Sequence, residues 1–172
     1  MLKVALIGCG RISFKHIEAY TKNMHRIRLV AACDPWTDRA KAAEYRKAIF
    51  SAEVTVYADY RAMLAKEKPD SCAVATESGH HPRIAIDCLE AGAYVICEKP
   101  MTLSTKDADA MNSAALRAGE KLEVCFQNGF NAPSPRQESR WRMADSGGCS
   151  TAWCRYAGSS ARFCPWYRSA WL

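Results

Sequence analysis

The chain has 172 residues, of which 49% are apolar, and a formal net charge of +6. This length suits about one ordinary domain with a hydrophobic core. There is no run of about 18 apolar residues, and the N-terminus lacks the apolar length of a signal peptide. We therefore expect a cytoplasmic protein that binds no membrane.

The positive charge is concentrated near the C-terminus. Residues 1–135 contain 18 basic and 16 acidic side chains, whereas residues 136–172 contain 6 and 2. Because the larger part of the chain is close to neutral, we expect no nucleic-acid partner.

Nine cysteines are scattered along the chain without a C-x-x-C pair. Four of them fall within apolar segments, where cysteine behaves as a small hydrophobic residue: Cys33, Cys72, Cys97 and Cys125. We expect neither a disulfide framework nor a metal site.

Six short apolar segments are predicted to form β-strands. They are rich in Val, Ile and Cys, as is typical of parallel strands covered on both faces. The segments are Lys3–Gly8, Ile27–Cys33, Glu53–Tyr57, Ser71–Thr76, Ala93–Cys97 and Leu122–Gln127. Helical patterns separate them, and this alternation predicts an α/β fold of the Rossmann type, a doubly wound parallel sheet.

Two of the helical segments have recognisable ends. After the fourth strand, Pro82 suits a first helical turn and Gly92 follows the last turn. The inward residues of this helix are predicted to be Ile84, Ala85, Cys88 and Leu89. After the fifth strand, Ser104 and Asp107 form a capping pattern and Gly119 can end the helix. Its predicted apolar face is Ala108, Met111, Ala115 and Leu116.

The first strand leads into a glycine-rich sequence, GCGRIS. Gly8 and Gly10 have the spacing of the dinucleotide-binding fingerprint, and Ser13 occupies the place of its third glycine. Gly8 would permit a tight turn, and Gly10 would let the backbone approach a pyrophosphate held at the helix N-terminus. The alternative is an ordinary turn from strand to helix.

Asp34 ends the second strand, 24 residues beyond Gly10. A carboxylate at this place can accept hydrogen bonds from the adenosine ribose and would repel a 2′-phosphate, so it favours NAD over NADP. The alternative is an N-cap of the following helix.

Polar side chains also follow the later strands. Thr76 closes the fourth strand, Glu98 and Lys99 the fifth, and Gln127 the sixth. Since ligands bind outside the carboxyl ends of parallel strands, we expect these side chains to converge on one cleft. Lys99 could exchange a proton with a substrate hydroxyl, and Glu98 could orient it or contact the cofactor. The alternative is a structural ion pair at a strand end.

Together these segments resemble the N-terminal half of the Gfo/Idh/MocA oxidoreductases, the family of glucose–fructose oxidoreductase and inositol dehydrogenase. The resemblance runs from Lys3 to about Asn131 and rests on GCGRIS, ACD, YADYRAML, PDSCAVAT, HHPRIAIDCLEAGAYVICEKPM and FQNGFN. It implies a Rossmann domain, residues 1–130, that binds NAD(P) and precedes a second α/β domain. It also implies hydride transfer between nicotinamide and a hydroxyl or ketone of a sugar, nucleotide sugar or cyclitol, in enzymes that form homo-oligomers.

The resemblance further implies roles for individual residues. Lys99 is similar to the family's catalytic-site lysine, and His81 to a structural or cofactor-facing histidine. The implied cofactor contacts are Gly8, Gly10, Arg11 and Ile12 at the pyrophosphate, Asp34 at the ribose, and Thr76, Glu98 and Gln127. The family's acid–base histidine comes from the second domain. Glu77 and Gly129 depart from the pattern, because the family usually has proline and arginine there.

Residues 131–172 are predicted to be an irregular tail and not a folded domain. Beyond Arg136 the tail contains no Ile, Val or Lys, yet it contains four of the five Trp. Shifting the codons of residues 140–158 by two bases can produce a sequence that resembles the continuation of the family. We interpret the tail as translated in a shifted frame, which leaves out the second domain. The alternative is an Arg- and Trp-rich arm for nucleic acid or membrane.

Two functions therefore remain open. The first is an NAD(P)-dependent dehydrogenase that is present as its N-terminal part and is inactive by itself. The second is a non-catalytic dinucleotide-binding module, a redox sensor or a partner subunit. Lys99 favours the first function, since a sensor needs no group for proton transfer, and the missing second domain favours the second. A methyltransferase-type Rossmann fold would leave Asp34 and the sequence EKP unexplained.

Overall fold

A computed structural model of the chain describes residues 1–36, 38 and 54–126. The strands are β1 (Leu2–Ile7), β2 (Ile27–Cys33), β3 (Thr55–Tyr57), β4 (Ser71–Val74), β5 (Tyr94–Glu98) and β6 (Leu122–Cys125). The helices with described bounds are α1 (Ser13–Lys22), α2 (Tyr60–Glu67), α3 (His81–Glu90) and α4 (Thr105–Arg117). A short 3-10 turn, Ser78–His80, leads into α3.

The six strands form one sheet in the order β3-β2-β1-β4-β5-β6. Each strand is parallel to its neighbours. β1 pairs with β2 on one side and β4 on the other, so the strand order reverses between β1 and β4. This arrangement confirms the predicted doubly wound parallel sheet and has the strand order of dinucleotide-binding folds.

The register of the strands brings the predicted site residues to one edge. Ile7 lies opposite both Cys33 and Val74, and Val74 lies opposite Cys97. These residues form one row across the sheet. The residues immediately after the row therefore follow one another along the carboxyl edge: Gly8, Asp34, Ala75 and Glu98.

The core lies between the sheet and the helices that cover it. α3 begins with Pro82 in its first turn. It buries the four residues that its pattern predicts: Ile84, Ala85, Cys88 and Leu89. They pack with residues of β1, β2, β4 and β5 and with Met63 of α2 and Met111 of α4. This burial explains why the sequences of the central strands are continuously apolar.

Two local predictions for α4 were wrong. Leu116 is 69% exposed, whereas Met111 and Ala114 are buried. Because an α-helix turns by about 100° per residue, Leu116 lies about 140° away from Met111 and leaves the buried face. Ser104 does occupy the N-cap position, but among the described residues its side chain accepts no capping bond. Its backbone N–H instead donates to Thr102 Oγ1 at 3.2 Å.

Gly8 lies where the backbones of β1 and β4 come closest. Its φ is +94°, and a Cβ at this position would lie 2.5 Å from Ala75 O and 2.7 Å from Thr76 N. Gly8 N–H donates to Cys33 O at 2.8 Å, so the turn is also fixed to β2. A side chain at this position would therefore be strained by the positive φ and would also clash with the backbone after β4.

We expect Gly8→Ala to lower the free energy of unfolding by roughly 1–3 kcal/mol, because the methyl group must displace backbone atoms in a strained conformation. Gly10→Ala is the matched control, since a Cβ at Gly10 meets no atom of the described residues within 4 Å. We expect Gly10→Ala to change the free energy by no more than about 0.5 kcal/mol. Urea denaturation measures both values, and an equal loss in the two variants would contradict the close contact.

Candidate functional site at the carboxyl edge of the sheet

The glycine-rich turn, residues 8–13, brings the N-terminus of α1 to the carboxyl edge of β1. Ser13, in the place of the third glycine, is buried, and its Oγ donates to Gly10 O at 2.6 Å. The N-cap residue is Ile12, whose side chain cannot accept a hydrogen bond, and the first turn contains no acidic residue. The helix end therefore has the partial positive charge of its N–H groups, without an acidic side chain in its own first turn to neutralise it.

Gly10 leaves room beside this helix end. Among the described residues, a Cβ at Gly10 would meet no atom within 4 Å, so this part of the chain leaves open space beside its backbone. Arg11 is exposed and Ile12 is half-buried. An open glycine, an exposed guanidinium and a helix N-terminus together fit a pyrophosphate group.

Asp34 joins the end of β2 to the glycine-rich turn. Its Oδ2 accepts the N–H of Cys9 at 2.9 Å, and its Oδ1 accepts the N–H of Trp36 at 2.9 Å. The Trp36 contact spans two residues, as in the turns that aspartate side chains commonly form. The residue is 5% exposed, yet each of its carboxylate oxygens can accept a further hydrogen bond. Its predicted contact with a ribose stays a prediction.

His81 joins the ends of β4 and β5. Its Nε2 lies 3.0 Å from Thr76 O and its Nδ1 lies 2.9 Å from Pro100 O, and the ring is 1% exposed. Both ring nitrogens therefore face backbone carbonyl oxygens; a neutral imidazole donates to one of them, and only the imidazolium donates to both. This supports a structural role, while the predicted cofactor contacts of His81 and Thr76 stay predictions.

Glu98, the last residue of β5, forms a buried pair with His16 of α1. Glu98 Oε1 lies 3.0 Å from His16 Nε2, and the two side chains are 6% and 0% exposed. Glu98 Oε2 accepts the backbone N–H of Lys99 at 3.3 Å. The thiol of Cys125, on the neighbouring strand β6, also hydrogen-bonds to the carboxylate.

These donors keep the Glu98 carboxylate ionised. Burial by itself raises the pKa of Glu98, since it disfavours the charged form. The hydrogen bond and charge of His16, with the N–H of Lys99 and the thiol of Cys125, act in the opposite direction. The net result is a Glu98 pKa below its ordinary value of 4.5.

Lys99 follows Glu98 directly and is exposed at the same edge. The structure thus brings together all the predicted site residues that it describes, at the ends of β1, β2, β4 and β5, in the turns that follow these strands and at the start of α3. Gln127 lies outside the described residues. The predicted roles of these residues stay predictions.

Sequence reasoning missed His16. Its signal is the helical spacing of Ser13, His16, Ile17 and Tyr20, all of them buried on one face of α1. An ionisable residue on the buried face of a helix needs a partner, and the sequence alone does not identify it.

The buried cysteines at this edge are chemically inert. Burial is the main cause that raises the pKa values of Cys9, Cys33 and Cys97 to about 12. Their thiols stay protonated at neutral pH and are poor nucleophiles. Within the described residues there is also no cluster of His, Cys, Asp and Glu suited to a metal ion, and no helix with the length and apolarity to cross a membrane.

The stability of the chain should depend on the ionised form of Glu98. Because its pKa is lowered in the folded state, the stabilisation is present above about pH 4.5 and is lost as the pH falls through the folded pKa. We expect the difference in unfolding free energy between the wild type and Glu98→Gln to shrink on acidification. Urea denaturation at a series of pH values measures this difference.

Glu18→Gln provides the control for this measurement. Glu18 also has a lowered pKa, caused by its hydrogen bond to Lys15, but both side chains are about half exposed. The small loss of unfolding free energy in Glu18→Gln should disappear in about 0.5 M NaCl, because salt screens exposed charges. The loss in Glu98→Gln should persist, because Glu98 is buried. If the difference in unfolding free energy between the wild type and Glu98→Gln grew on acidification, the lowered pKa of Glu98 would be contradicted.

Residues 2–126 match the family model GFO_IDH_MocA, an oxidoreductase family with an NAD-binding Rossmann fold. Among curated proteins, D-apiose dehydrogenase of Paraburkholderia graminis is 38% identical over 122 residues, which are 71% of this chain and 31% of that protein. D-glucoside 3-dehydrogenase of Escherichia coli is 32% identical over 129 residues, 75% of this chain and 36% of that protein.

A solved structure is similar over a longer part of the chain. The WlbA dehydrogenase of Bordetella pertussis, crystallised with NADH and UDP-GlcNAcA, matches with a TM-score of 0.74 and 34% identity over 85% of this chain and 43% of that one. The chain thus spans about a third of the length of the curated relatives and about two fifths of this structure. The family match covers well over half of the chain, and it confirms both the resemblance and NAD as the cofactor of the family. The chain therefore belongs to the Gfo/Idh/MocA oxidoreductases, and residues 2–126 correspond to their NAD-binding Rossmann domain.

Proposed function

We propose that this chain is the cofactor-binding part of an NAD-dependent dehydrogenase that acts on a hydroxyl group of a sugar, nucleotide sugar or cyclitol. The observation that carries the proposal is the position of the glycine-rich turn, Asp34 and the Glu98–Lys99 pair at one edge of the sheet. The names of the relatives support the substrate class, because they include dehydrogenases of D-apiose, of D-glucosides and of inositol.

The glycine-rich turn would bind the pyrophosphate of NAD. The N–H groups at the start of α1 would donate to its oxygens, and Arg11 would add a positive charge beside them. Gly10 would permit the close approach, since a side chain there would point into the open space that the phosphates need.

Asp34 would select NAD over NADP. Its oxygens already accept the N–H groups of Cys9 and Trp36, which fix the carboxylate in position. A ribose with free hydroxyls can donate to the remaining lone pairs, whereas a 2′-phosphate would bring a second negative charge to a buried carboxylate.

Lys99 would act at the reacting carbon. NAD, when bound, supplies the nicotinamide that takes up a hydride from the substrate carbon. The Lys99 ammonium or amine would hydrogen-bond to the substrate oxygen and take part in moving the hydroxyl proton. Its backbone N–H is bound to Glu98, so the start of this side chain is fixed while its exposed end can reach a ligand.

The remaining acid–base and substrate-binding groups would come from a second domain. We propose that residues 131–172, which lie outside the described part of the chain, are a tail translated in a shifted frame. The same proposal places the end of the Rossmann domain near residue 130. The 172-residue chain would then bind the cofactor without a complete active site.

We expect the chain to bind NADH more tightly than NADPH, because Asp34 would meet the 2′-phosphate. Asp34→Ser should lower the ratio of NADH affinity to NADPH affinity roughly tenfold, which narrows or reverses the preference. A factor of ten corresponds to the removal of one like-charge contact of about 1.4 kcal/mol. Fluorescence titration of the full chain with each cofactor measures the four dissociation constants.

Asp70→Ser is the matched control for this titration. Asp70 lies just before β4, where its Oδ2 accepts the N–H of Lys3 at 2.7 Å, and this is the opposite edge of the sheet. Its replacement should leave the ratio of NADH to NADPH affinity unchanged. Equal affinity of the wild type for both cofactors would refute the role of Asp34.

We expect the chain alone to have no measurable turnover with NAD and inositols, hexoses or nucleotide sugars, because the substrate-binding groups and the remaining acid–base groups would come from the second domain. A chain with the reading frame restored should turn over, and its Lys99→Met variant should lose most of the activity while still binding NADH. A restored chain that binds NADH without any turnover would favour the non-catalytic module.

A further inference from the structure

The strongest unassigned feature of the site is the buried pair of His16 and Glu98. The two residues are 82 positions apart in the sequence, and their side chains meet at 3.0 Å between α1 and the end of β5. His16 is completely buried on the face of α1 that also contains Ser13, Ile17 and Tyr20. The pair is thus a direct polar link between the helix and the strand end.

Each end of this link lies beside a part of the proposed cofactor site. His16 is one helical turn beyond Ser13, where α1 begins at the glycine-rich turn. Glu98 accepts the backbone N–H of Lys99, the next residue. A displacement of the Glu98 carboxylate would therefore change the position of Lys99 relative to the N-terminus of α1.

The carboxylate is surrounded by donors from three elements. His16 faces it from α1, Cys125 from β6, and the N–H of Lys99 from its own chain segment. The thiol of Cys97, on the same strand, lies next to Glu98 as well and donates to its carbonyl oxygen at 3.5 Å. His16 is the largest single source of stabilisation for the ionised carboxylate, so its removal should have the greatest effect on Glu98.

We propose that His16 is a positioning residue of the cofactor site: its imidazole holds the Glu98 carboxylate, and with it Lys99, in place relative to the helix end that would bind the pyrophosphate. This inference rests on the proposed function. Replacing both members of a buried charged pair by apolar residues is often neutral, whereas removing one member leaves an uncompensated buried charge and destabilises the fold. A loss of stability in a single variant therefore does not identify a positioning role, and cofactor binding and its pH dependence are the measurements that do.

The test is a double-mutant cycle in NADH affinity, measured on the full 172-residue chain. We expect His16→Leu to weaken NADH binding by about tenfold and His16→Gln, which keeps a donor, to restore most of the loss. Glu98→Gln should weaken binding in the wild type but have little further effect in His16→Leu, because the two residues act through one contact. Additive effects in the cycle would overturn the proposal.

The pH profile distinguishes positioning from a merely structural role. In His16→Leu, burial is no longer opposed by the imidazole, so the pKa of Glu98 should rise, and NADH affinity should fall more steeply on acidification than it does in the wild type. Asn23→Ala is the control, because Asn23 is buried at the far end of α1 and donates to Ala19 O. It should lower stability without changing the pH profile.

The outcomes separate this inference from the proposed function. If the wild type binds NADH and His16→Leu binds it equally well with the same pH profile, the positioning role fails and the proposed function stands. If the wild type does not bind NADH, the proposed function fails and the positioning role fails with it. Should His16→Leu not fold, nitrogen-15 NMR of the wild-type imidazole decides: we expect a proton on Nε2, and an unprotonated Nε2 would overturn the proposal.

Discussion

The arrangement of the whole edge depends on one close contact between backbones, that of Gly8 with Ala75 and Thr76. The contact leaves 2.5 Å between a hypothetical Cβ and Ala75 O, so only glycine permits it. It brings the turn after β1 against the turn after β4, at the point where the strand order reverses. In folds of this type, dinucleotides bind outside the carboxyl ends of the strands at the point where the strand order reverses.

Two buried carboxylates extend this constraint to the neighbouring strands. Asp34 fixes the end of β2 to the glycine-rich turn through the N–H of Cys9, and Glu98 fixes the end of β5 to α1 through His16. A buried charge is unfavourable unless hydrogen bonds compensate it, so each carboxylate keeps its loop in one position. The Glu98 carboxylate also accepts the backbone N–H of Lys99, and this hydrogen bond fixes the backbone at Lys99. The binding edge is therefore preorganised by its own polar groups.

The sheet and the row of site residues could be predicted from the sequence, because covered parallel strands are continuous apolar segments and their ends carry the polar residues. The pair of His16 and Glu98 could not, since it depends on how α1 packs and no local pattern encodes a contact over 82 residues. The hydrogen bond of Asp34 to Cys9 was missed for the same reason. Leu116 was misplaced because it directly follows Ala115, which packs against the core, and one residue turns an α-helix by about 100°.

The central claim is that a dinucleotide binds along the carboxyl edge of this sheet, and backbone NMR of the full chain with NADH tests it most directly. If the claim is correct, saturating NADH shifts the amide signals of Gly10, Asp34 and Lys99 far more than those of Asp70 and Gly92, which lie toward the opposite edge. Largest shifts at Asp70 and Gly92, or no shifts at millimolar NADH, would contradict it.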